Sequence, residues 1–539
     1  MRSEWREKDL FQLPLIVHAL SRLGEEDGPR VESAVETLIK SRARLQDTWK
    51  QTLSCYLQYW LAAALLEYGK EKEGMGLALS RAYEVARSET CRQLAFHASG
   101  DRSNFDVTRL AYSLLAYAGV GGRREFLKEL SAPDAEDVDV NPKLCASALD
   151  AIFSEQRSDG LWPAGQAIYA KSRRGFDVGN AYVFAPDMVA SLLETLPPEC
   201  FEKYLPNLSK LVSWIEEHDV EGGWRSNHLV PGGPPMAWST AQTLKCCARM
   251  LETTQHLLNL EILREFGGEV VPRSQDLFAN LLDSDVVGTT TTTLKDVVRS
   301  RFLEEDAAVP KAWSAVLFGP PGTAKTTIAE AVARFLGAGF VVIDTGTFLS
   351  DGLGKVASRI AYVFSRLRML RGCVVLFDEI EEFCLERSEP AAMESRMLTT
   401  AMLTQLNDLR RAQKSIFFIA TNKVSKLDTA VTRPGRMDLL LFVGTPNRAA
   451  RVQRFAKKCQ DFVEVFDEFL ETTWDEESQF LNYLESERFA SLAAAHAAKT
   501  GTLTPPILAN LLKTQTSVMV LRDAASRKEV LDSQAFARI

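Results

Sequence analysis

Apolar residues recur at three- and four-residue spacing through the first half of the chain, which is the pattern of amphipathic helices. Alternation of apolar and polar positions, the pattern of a half-buried strand, does not occur convincingly before about residue 310. The sequence therefore predicts an all-helical N-terminal domain of helical hairpins over 1–275. Its clearest helices are predicted at 52–66, 106–117, 144–153, 178–196 and 239–251.

Two short phrases repeat loosely in this half of the chain. The tripeptide Phe-Asp-Val at 105–107 and 176–178 is predicted to open an apolar helix, and 237–239 is a more divergent third copy. Glycine-containing turns that end in tryptophan, 156–162 and 218–224, precede the two later copies. Because the spacing is irregular, the repeats favour stacked helical hairpins over a strict solenoid.

From residue 314 the pattern changes to short, continuously apolar runs that alternate with helical segments. Such runs are typical of strands buried on both faces of a parallel sheet. The sequence therefore predicts an α/β domain with a five-stranded parallel sheet over 311–446, followed by a small helical piece over 447–539. The strands are predicted at 314–318, 340–343, 374–377, 416–420 and 439–443.

The segment between the two halves, 276–310, contains a run of five threonines that ends at Thr293. The run is uncharged and β-branched and follows Gly288. It is either part of an extended linker or a solvent-exposed loop, and both interpretations stay open.

Length and composition limit the possible classes of protein. A chain of 539 residues is long enough for two or three domains, and 25% charged with 46% apolar residues is an ordinary globular composition. A formal charge of −8 argues against broad nucleic-acid binding. The nine cysteines form no repeating C-x-x-C pattern, and no secretory signal is apparent. The sequence therefore predicts reduced thiols in the cytoplasm. The most apolar run, within 56–68, is too short to span a bilayer, so we expect no membrane association.

A glycine-containing loop directly follows the first predicted strand and opens a helix predicted at 327–336. In this setting backbone N–H groups can encircle phosphate oxygens, and the helix dipole adds positive potential. Lys325 would reach the β- and γ-phosphates, and the Thr326 hydroxyl would bind Mg²⁺. Ala324 replaces the usual glycine before the lysine, which we expect to be sterically mild. The predicted phosphate-binding residues are Gly319, Pro320, Pro321, Gly322, Thr323, Ala324, Lys325, Thr326 and Thr327.

Polar residues end two further predicted strands. Asp378 would lie beside the metal, and Glu379 would polarise the attacking water as general base. Asn422 either orients that water or merely caps its strand end. Arg433 and Arg436 lie on a predicted tight turn, away in sequence from any phosphate-binding motif. Their guanidinium groups could therefore contact the nucleotide of a neighbouring subunit. An isolated Arg-Pro-Gly-Arg is, however, also typical of an ordinary surface turn.

Taken together, residues 295–515 resemble the classical AAA branch of the AAA+ superfamily, which includes FtsH-like, katanin-like and spastin-like ATPases. The loop looks like a Walker A motif, Leu-Phe-Asp-Glu like a Walker B motif and Asn422 like the sensor-1 residue. The segment 427–438 looks like the second region of homology. The resemblance implies ATP and Mg²⁺ as ligands, Arg433 and Arg436 as arginine fingers acting in trans, and a ring, most simply a hexamer. Residues 504–512 are similar to the lid helix that covers the nucleotide.

Three departures limit this resemblance. The pore-loop position reads Gly-Leu-Gly at 352–354 and lacks the aromatic residue of translocating members. The small Gly-Ala pair of the lid is replaced by Pro-Pro at 505–506, and the inter-subunit signalling segment reads Asn-Asp-Leu at 407–409. We expect ATP hydrolysis to survive these changes, whereas threading of polypeptide through the ring is less well supported.

The turns that end at Trp162 and Trp224 weakly resemble the QW-type turns of terpene-cyclase and prenyltransferase-type α/α toroids. No Asp-x-Asp-Asp run is present, and the acidic segment 134–139 is typical of a solvated loop. His228 and the Cys246–Cys247 pair lack persuasive zinc spacing. We therefore expect the N-terminal domain to bind a partner rather than to catalyse a reaction, and both tryptophans to be packing residues.

Three functions are compatible with these features. The one we favour is a ring ATPase that remodels or disassembles a protein partner recruited by the helical domain. The alternative is a signalling or defence switch, in which nucleotide state controls assembly and the helical domain senses a ligand. An isoprenoid enzyme with an appended ATPase is the least supported, because the acidic motif is missing.

Overall fold

The computed structural model divides into two compact units, Met1–Leu257 and Leu258–Ile539, which are described separately. The structure describes residues 13–47, 52–130, 132, 135–165, 169–173, 176–226, 234–274, 294–304, 310–380, 383, 393–422, 437–446, 448–471 and 482–516.

The first unit is mainly helical, as predicted. Its helices are α1 Leu13–Arg22, α2 Pro29–Asp47, α3 Thr52–Tyr68, α4 Met75–Ser99, α5 Val107–Gly121, α6 Arg124–Glu129, α7 Pro142–Ser154, α8 Ala185–Thr195, α9 Leu205–Glu217 and α10 Ala237–Glu265, which contains the unit boundary. A 3₁₀ segment spans Pro198–Tyr204, and an antiparallel hairpin is formed by β1 Tyr169–Arg173 and β2 Phe176–Ala181.

The hairpin corrects two expectations from the sequence. Strands were not expected before about residue 310, and 176–178 was predicted to open a helix, but it lies in β2. The following helix begins only at Ala185. Pro186 occupies its first turn, where the missing N–H group costs nothing, whereas a proline deeper in a helix that began at 178 would break a hydrogen bond. The helices predicted at 52–66, 106–117, 144–153 and 239–251 are confirmed.

Helix α5 is the centre of the first unit. It packs against α3, α4, α7 and α8, and almost all of its residues are buried, which explains why it is apolar on every face. The Asp106 side chain caps its N-terminus by accepting hydrogen bonds from the Thr108 and Arg109 N–H groups.

The second unit contains the predicted α/β domain and the C-terminal helices. Its first elements are β3 Glu269–Val270, α11 Leu294–Val298 with a π turn at Arg299–Leu303, β4 Ser314–Phe318, α12 Lys325–Leu336, β5 Gly339–Ile343, α13 Thr345–Leu349, α14 Val356–Leu367 and β6 Cys373–Asp378. The later elements are α15 Met393–Ala412, β7 Ile416–Thr421, β8 Leu439–Phe442, α16 Arg448–Ala456, α17 Val463–Phe469, α18 Tyr483–Thr500 and α19 Pro505–Thr516. Short 3₁₀ turns lie at Leu353–Lys355 and Gln460–Phe462.

The sheet has the strand order β3-β5-β6-β7-β4-β8. All five predicted strands are confirmed and are parallel to one another. The sixth strand, β3, pairs antiparallel to β5 through two residues, too few for a recognisable pattern. Helices α14 and α15 cover one face of the sheet, and α11 and α12 cover the other. Burial on both faces is the reason for the continuous apolar runs.

Helices α16 to α19 share a separate aromatic core. The rings of Phe455 and Phe466 stack with centroids 4.0 Å apart, and Phe489 of α18 packs against both. Asn482 and Glu485 form a capping box at the start of α18. Among the described residues of the whole chain, no helix is long and apolar enough to cross a bilayer.

Candidate nucleotide site

The strand order brings three strand ends together at the carboxyl edge of the sheet. Strand β7 lies between β6 and β4, so that Asp378 pairs with Ala420 and Phe318 pairs with Thr421. The Gly319 N–H group then donates to the Thr421 carbonyl over 3.3 Å. Ligands of open α/β sheets bind at this edge, because the loops that leave neighbouring strands meet there.

The glycine loop, residues 319–326, needs glycine at two positions for different contacts. A Cβ atom on Gly319 would lie 2.2 Å from the Val443 carbonyl oxygen. On Gly322, which has a left-handed φ of +75°, it would lie 2.7 Å from the Asn482 side chain. Both distances are too short for any other residue without a shift of the surroundings. The loop is therefore packed closely between β8 and the start of α18.

Ala324 has a left-handed backbone conformation, with φ 70° and ψ 28°. The left-handed region costs a residue with a Cβ atom about 1–2 kcal/mol relative to glycine. The effect of alanine in place of the usual glycine at position 324 is therefore backbone strain. The strained residue stands directly before α12.

Lys325 joins the glycine loop to the end of β7. Its buried ammonium group donates to the carbonyl oxygens of Gly319 and Pro320 over 3.0 and 2.8 Å. It also donates to Asn422 Oδ1 over 2.7 Å. The structure thus brings together two residues that the sequence singled out separately, and the Asn422 amide faces the site rather than only capping its strand.

The two threonines of the loop have different environments. Thr323 is buried, and its hydroxyl donates to the Pro320 carbonyl over 2.9 Å, which stabilises the turn. Thr326 is exposed in the first turn of α12, as is Thr327. The Thr326 hydroxyl and the half-buried Asp378 carboxylate are oxygen donors at the same edge of the sheet, the type of ligand that Mg²⁺ prefers.

Glu379 directly follows β6 and is exposed. Its backbone has a positive φ of 53°, which is uncommon for a residue other than glycine. Its carbonyl oxygen accepts a hydrogen bond of 2.7 Å from the Thr345 hydroxyl. Thr345 follows the neighbouring strand β5 and was not singled out in the sequence.

Asp438, in the segment that resembles the second region of homology, fixes the start of β4. Its Oδ2 atom accepts hydrogen bonds from the N–H groups of Trp313 and Ser314, and its Oδ1 atom pairs with Arg410. Burial tends to raise the pKa of Asp438, but these hydrogen bonds outweigh it and lower the pKa. Arg433 and Arg436 lie outside the described residues, so that their role stays a prediction.

A second residue missed in the sequence is Asn482. Its amide Nδ2 lies 3.5 Å from the Pro321 carbonyl oxygen, so that the N-terminus of α18 contacts the glycine loop. The predicted lid helix over 504–512 is present as α19, but it packs against α17 and α18. The Asn-x-x-Glu capping box at 482–485 was the signal for a helix start here, although nothing in it indicates contact with the loop.

In the first unit, both turn tryptophans make the same contact. The Trp162 indole N–H donates to the Ile152 carbonyl, and that of Trp224 donates to the Ile215 carbonyl, each over 2.7 Å. Gly160 precedes Trp162 with φ +84°, and a Cβ atom there would lie 2.4 Å from the Lys210 carbonyl oxygen. These are packing contacts, as expected for turns that join helix ends.

No group of three or more metal-ligating side chains occurs among the described residues. The described part of the acidic segment 134–139 includes the exposed Asp137. His228, Asp134 and the threonine run before Leu294 lie outside the described residues.

The interior of the first unit contains two carboxyl groups on α8 with opposite pKa shifts. Burial raises the pKa of Asp187 to about 6, and its one hydrogen bond is donated by the Tyr112 hydroxyl over 3.1 Å. Burial also tends to raise the pKa of Glu194, but hydrogen bonds and charge from Lys245 and Arg22 outweigh it and lower the pKa to about 2. Glu194 thereby links α1, α8 and α10.

The order of the strands, the glycine loop between β4 and α12, and the acidic end of β6 define a P-loop α/β module. Comparison with known proteins identifies the kind: residues 315–445 match the family model "ATPase family associated with various cellular activities (AAA)", and this part of the chain is an AAA module.

Similar proteins match over about a quarter of the chain. The chain is 36% identical over 137 residues to nuclear valosin-containing protein-like of Mus musculus, covering 25% of this chain and 16% of that protein. It is 32% identical over 141 residues to the cell division cycle protein 48 homolog of Archaeoglobus fulgidus, covering 26% and 19%. It is 34% identical over 149 residues to ATP-dependent zinc metalloprotease FtsH 2 of Symbiobacterium thermophilum, covering 27% and 25%. The chain thus spans a quarter or less of these relatives' length.

The crystal structure of the FIGL-1 AAA domain in complex with ADP matches with 20% identity and a TM-score of 0.37, covering 52% of this chain and 96% of that one. The expected resemblance to AAA ATPases is confirmed for the module by the family model and by the sequence relatives.

Proposed function

We propose that the chain hydrolyses ATP with Mg²⁺ at the carboxyl edge of its sheet. The observation that carries the proposal is the convergence of Lys325 and Asn422, 2.7 Å apart, beside the acidic end of the neighbouring strand. Triphosphate oxygens are held by charged and N–H donors, and hydrolysis needs a carboxylate next to the terminal phosphate. In this proposal Lys325, Glu379 and Asn422, which follow three adjacent strands, supply groups of both kinds.

Each residue of the site has a role in this proposal. Lys325 binds the β- and γ-phosphates, and Thr326 and Asp378 hold the Mg²⁺ ion. Bound Mg²⁺ supplies neutralisation of the phosphate charge. Glu379 accepts the proton of the attacking water, and Asn422 orients that water toward the phosphorus atom.

The direct test is phosphate release from ATP by the purified full chain, with the Lys325→Ala variant beside it. We expect Mg²⁺-dependent release by the wild type and a loss of at least about 10²-fold in the variant. Lys355→Ala, a lysine in the turn before α14, is the matched control and should retain full activity. Equal release by the wild type and by Lys325→Ala would mean that the activity does not belong to this site.

The active form in this proposal is a homo-oligomeric ring, a hexamer, in which Arg433 and Arg436 reach the nucleotide of the next subunit. The resemblance to the second region of homology supports this arrangement. A reduced cytoplasm is the proposed location, on the cysteine argument given above. Size-exclusion chromatography with light scattering, with and without ATP, tests the oligomeric state.

We further propose that the first unit recruits a protein partner, which the ring then remodels or disassembles. Large apolar side chains that remain exposed mark interaction surfaces when they cluster. Leu244 and Leu251 of α10 are 55% and 61% exposed and lie seven residues apart, on one face of the helix. This face is the candidate recruitment surface.

The Leu244→Asp, Leu251→Asp double variant tests recruitment. It should abolish stimulation of ATP turnover by the partner that co-purifies with the hydrolysis-deficient Glu379→Gln variant, while basal turnover stays unchanged. Leu77→Asp, at an exposed leucine of α4, is the matched control. Full stimulation of the double variant would place recruitment elsewhere.

One observation favours the alternative of a ligand-sensing switch. The first unit has a groove of about 400 Å³ lined by polar groups that include Arg22, Tyr59 and Glu194, which is large enough for a small ligand. Slow turnover with assembly triggered by a small molecule would support the switch, whereas turnover stimulated by a protein would support the remodeller.

A further inference from the structure

Glu379 has a backbone conformation that needs external support. Its φ of 53° places it in the left-handed region, and such a residue persists only where its surroundings hold it there. The direction of its side chain depends on this conformation, because a change of φ to an ordinary negative value would rotate the Cβ atom away from its present position.

The support comes from Thr345, the first residue of α13, which follows the neighbouring strand β5. Strands β5 and β6 are adjacent and parallel, with Ile343 opposite Phe377. The residues that follow them therefore meet, and the Thr345 hydroxyl donates to the Glu379 carbonyl oxygen over 2.7 Å. This hydrogen bond joins the backbone of Glu379 to the first residue of α13.

Helix α13 is itself firmly fixed at this point. The Asp344 side chain caps it by accepting hydrogen bonds of 2.8 Å from both the N–H group and the hydroxyl of Thr347. Phe348, in the same short helix, is fully buried. It belongs to the core that also contains Ile380, the residue after Glu379. Both ends of the Thr345–Glu379 hydrogen bond are thus anchored in one core.

We infer that Thr345 is a positioning residue for Glu379: its hydroxyl holds the glutamate backbone in the left-handed conformation that aims the carboxylate at the edge of the sheet. The inference rests on the proposed ATP hydrolysis. A donor is needed at Thr345, but its methyl group is not, because the contact is made by Oγ1 alone. A small misplacement of a catalytic group can cost about 10²-fold in rate.

Thr345→Val removes the donor at nearly constant volume, and Thr345→Ser keeps it. The valine variant should lose about 10-fold or more in kcat, with KM and Kd for ATP within about twofold of the wild type. The serine variant should recover kcat to within about threefold. Thr404→Val, which removes a hydroxyl bonded to a main-chain carbonyl within α15, is the matched control and should be unchanged.

A double-mutant cycle separates positioning from a general structural role. In a Glu379→Gln background, Thr345→Val should have no further effect on single-turnover hydrolysis, because the base that it positions is already absent. Multiplying losses would overturn the inference. Full kcat in Thr345→Val, equal losses in the valine and serine variants, or a loss confined to ATP affinity would overturn it as well.

Folding and the proposed function are separated by two further measurements. If Thr345→Val melts at a lower temperature than the wild type, Thr345→Ala and Thr345→Ser are compared at a temperature where both are folded, with the same expected order of kcat. Absence of ATP hydrolysis in the wild type would contradict the proposed function itself. A hydrolysing wild type with an unaffected valine variant would contradict only the inference about Thr345.

Discussion

Asp187 and Glu379 each have a local environment that their residue type does not favour. The first is a buried carboxyl group, with one of its two oxygens lacking a hydrogen bond. The second is a non-glycine residue in the left-handed region. Each departure leads to a measurable consequence.

The raised pKa of Asp187 predicts a pH-dependent stability. The ordinary pKa of an aspartate is 3.8, and that of Asp187 in the folded chain is about 6. Between these two pH values Asp187 keeps its proton in the folded chain and has released it in the unfolded chain. The free energy of unfolding should therefore fall as pH rises through this interval, and by neutral pH the penalty is about 3 kcal/mol. Asp187→Asn should remove the penalty, raising stability at pH 7.5 and leaving it little changed at pH 4.

Urea unfolding of the full chain at several pH values, followed by tryptophan fluorescence, measures this difference. Asp137→Asn, at an exposed position of the same unit, is the control and should run parallel to the wild type. A constant offset between Asp187→Asn and the wild type from pH 4 to 7.5 would show that Asp187 does not titrate in this interval.

Replacement of the proposed base gives a second prediction at the residue scale. Glu379→Gln should lower kcat by about 10²–10⁴-fold, because the amide cannot accept the proton of the attacking water. ATP should still bind, and the oligomer should become more stable because the nucleotide persists. Fluorescent-nucleotide titration and phosphate release measure the two effects. Glu330→Gln, on the surface of α12, is the control and should retain full activity. Undiminished hydrolysis in Glu379→Gln would show that Glu379 is not the general base.

At the scale of secondary-structure elements, both ends of β4 bear on the candidate site. The glycine loop follows its last residue, and Asp438 fixes its first residue by bonding Trp313 and Ser314 while pairing with Arg410. The position of β4 along its axis, and with it the height of the glycine loop above the sheet, depends on this carboxylate.

Asp438→Asn should therefore destabilise the chain by about 2 kcal/mol, since charge-assisted hydrogen bonds lose strength when the acceptor becomes neutral. The denaturation midpoint of the second unit measures the loss. Asp461→Asn, at an exposed aspartate, serves as the comparison. An unchanged midpoint for Asp438→Asn would mean that backbone pairing with β7 and β8 is sufficient to hold β4.

The elements also show where sequence patterns are reliable. Long amphipathic helices and the five buried strands were predicted, because each carries its own periodicity. The hairpin at 169–181 and the two-residue strand β3 were missed. Their residues have no period of their own, and they are strands only because a partner segment lies beside them.

For the whole molecule, the proposed ring makes a prediction about mixtures. Arg433→Ala should abolish hydrolysis while sparing nucleotide affinity, because the arginine acts only on the developing charge of the γ-phosphate. Mixing it with Lys325→Ala should restore part of the turnover. In such rings, some sites combine an intact lysine of one subunit with an intact arginine of the next.

The control mixture is Lys325→Ala with Glu379→Gln. In the proposed ring, one subunit supplies both the lysine and the glutamate of a site. Every site in this mixture therefore lacks one of the two residues, whatever the arrangement of the subunits. Turnover assays on co-expressed, differently tagged subunits distinguish the mixtures. If the Arg433→Ala mixture is as inactive as the control mixture, the arginine acts within its own subunit or has a structural role.

The AAA module and the residues of its candidate site were largely predictable from the sequence. Parallel strands buried on both faces leave continuous apolar runs, and a phosphate-binding turn needs glycines, a lysine and a helix start within a few residues. The acidic pair at the end of β6 is equally local. These features are determined by neighbours along the chain, so that one sequence is enough to find them.

The contacts that complete the site were decided only by the tertiary structure. Lys325 and Asn422 are 97 residues apart, Thr345 and Glu379 are 34 apart, and Asn482 and Pro321 are 161 apart. Each contact follows from the order of the strands or from the docking of α18. That order buries apolar residues from distant parts of the chain in common cores, and no local pattern records such a combination.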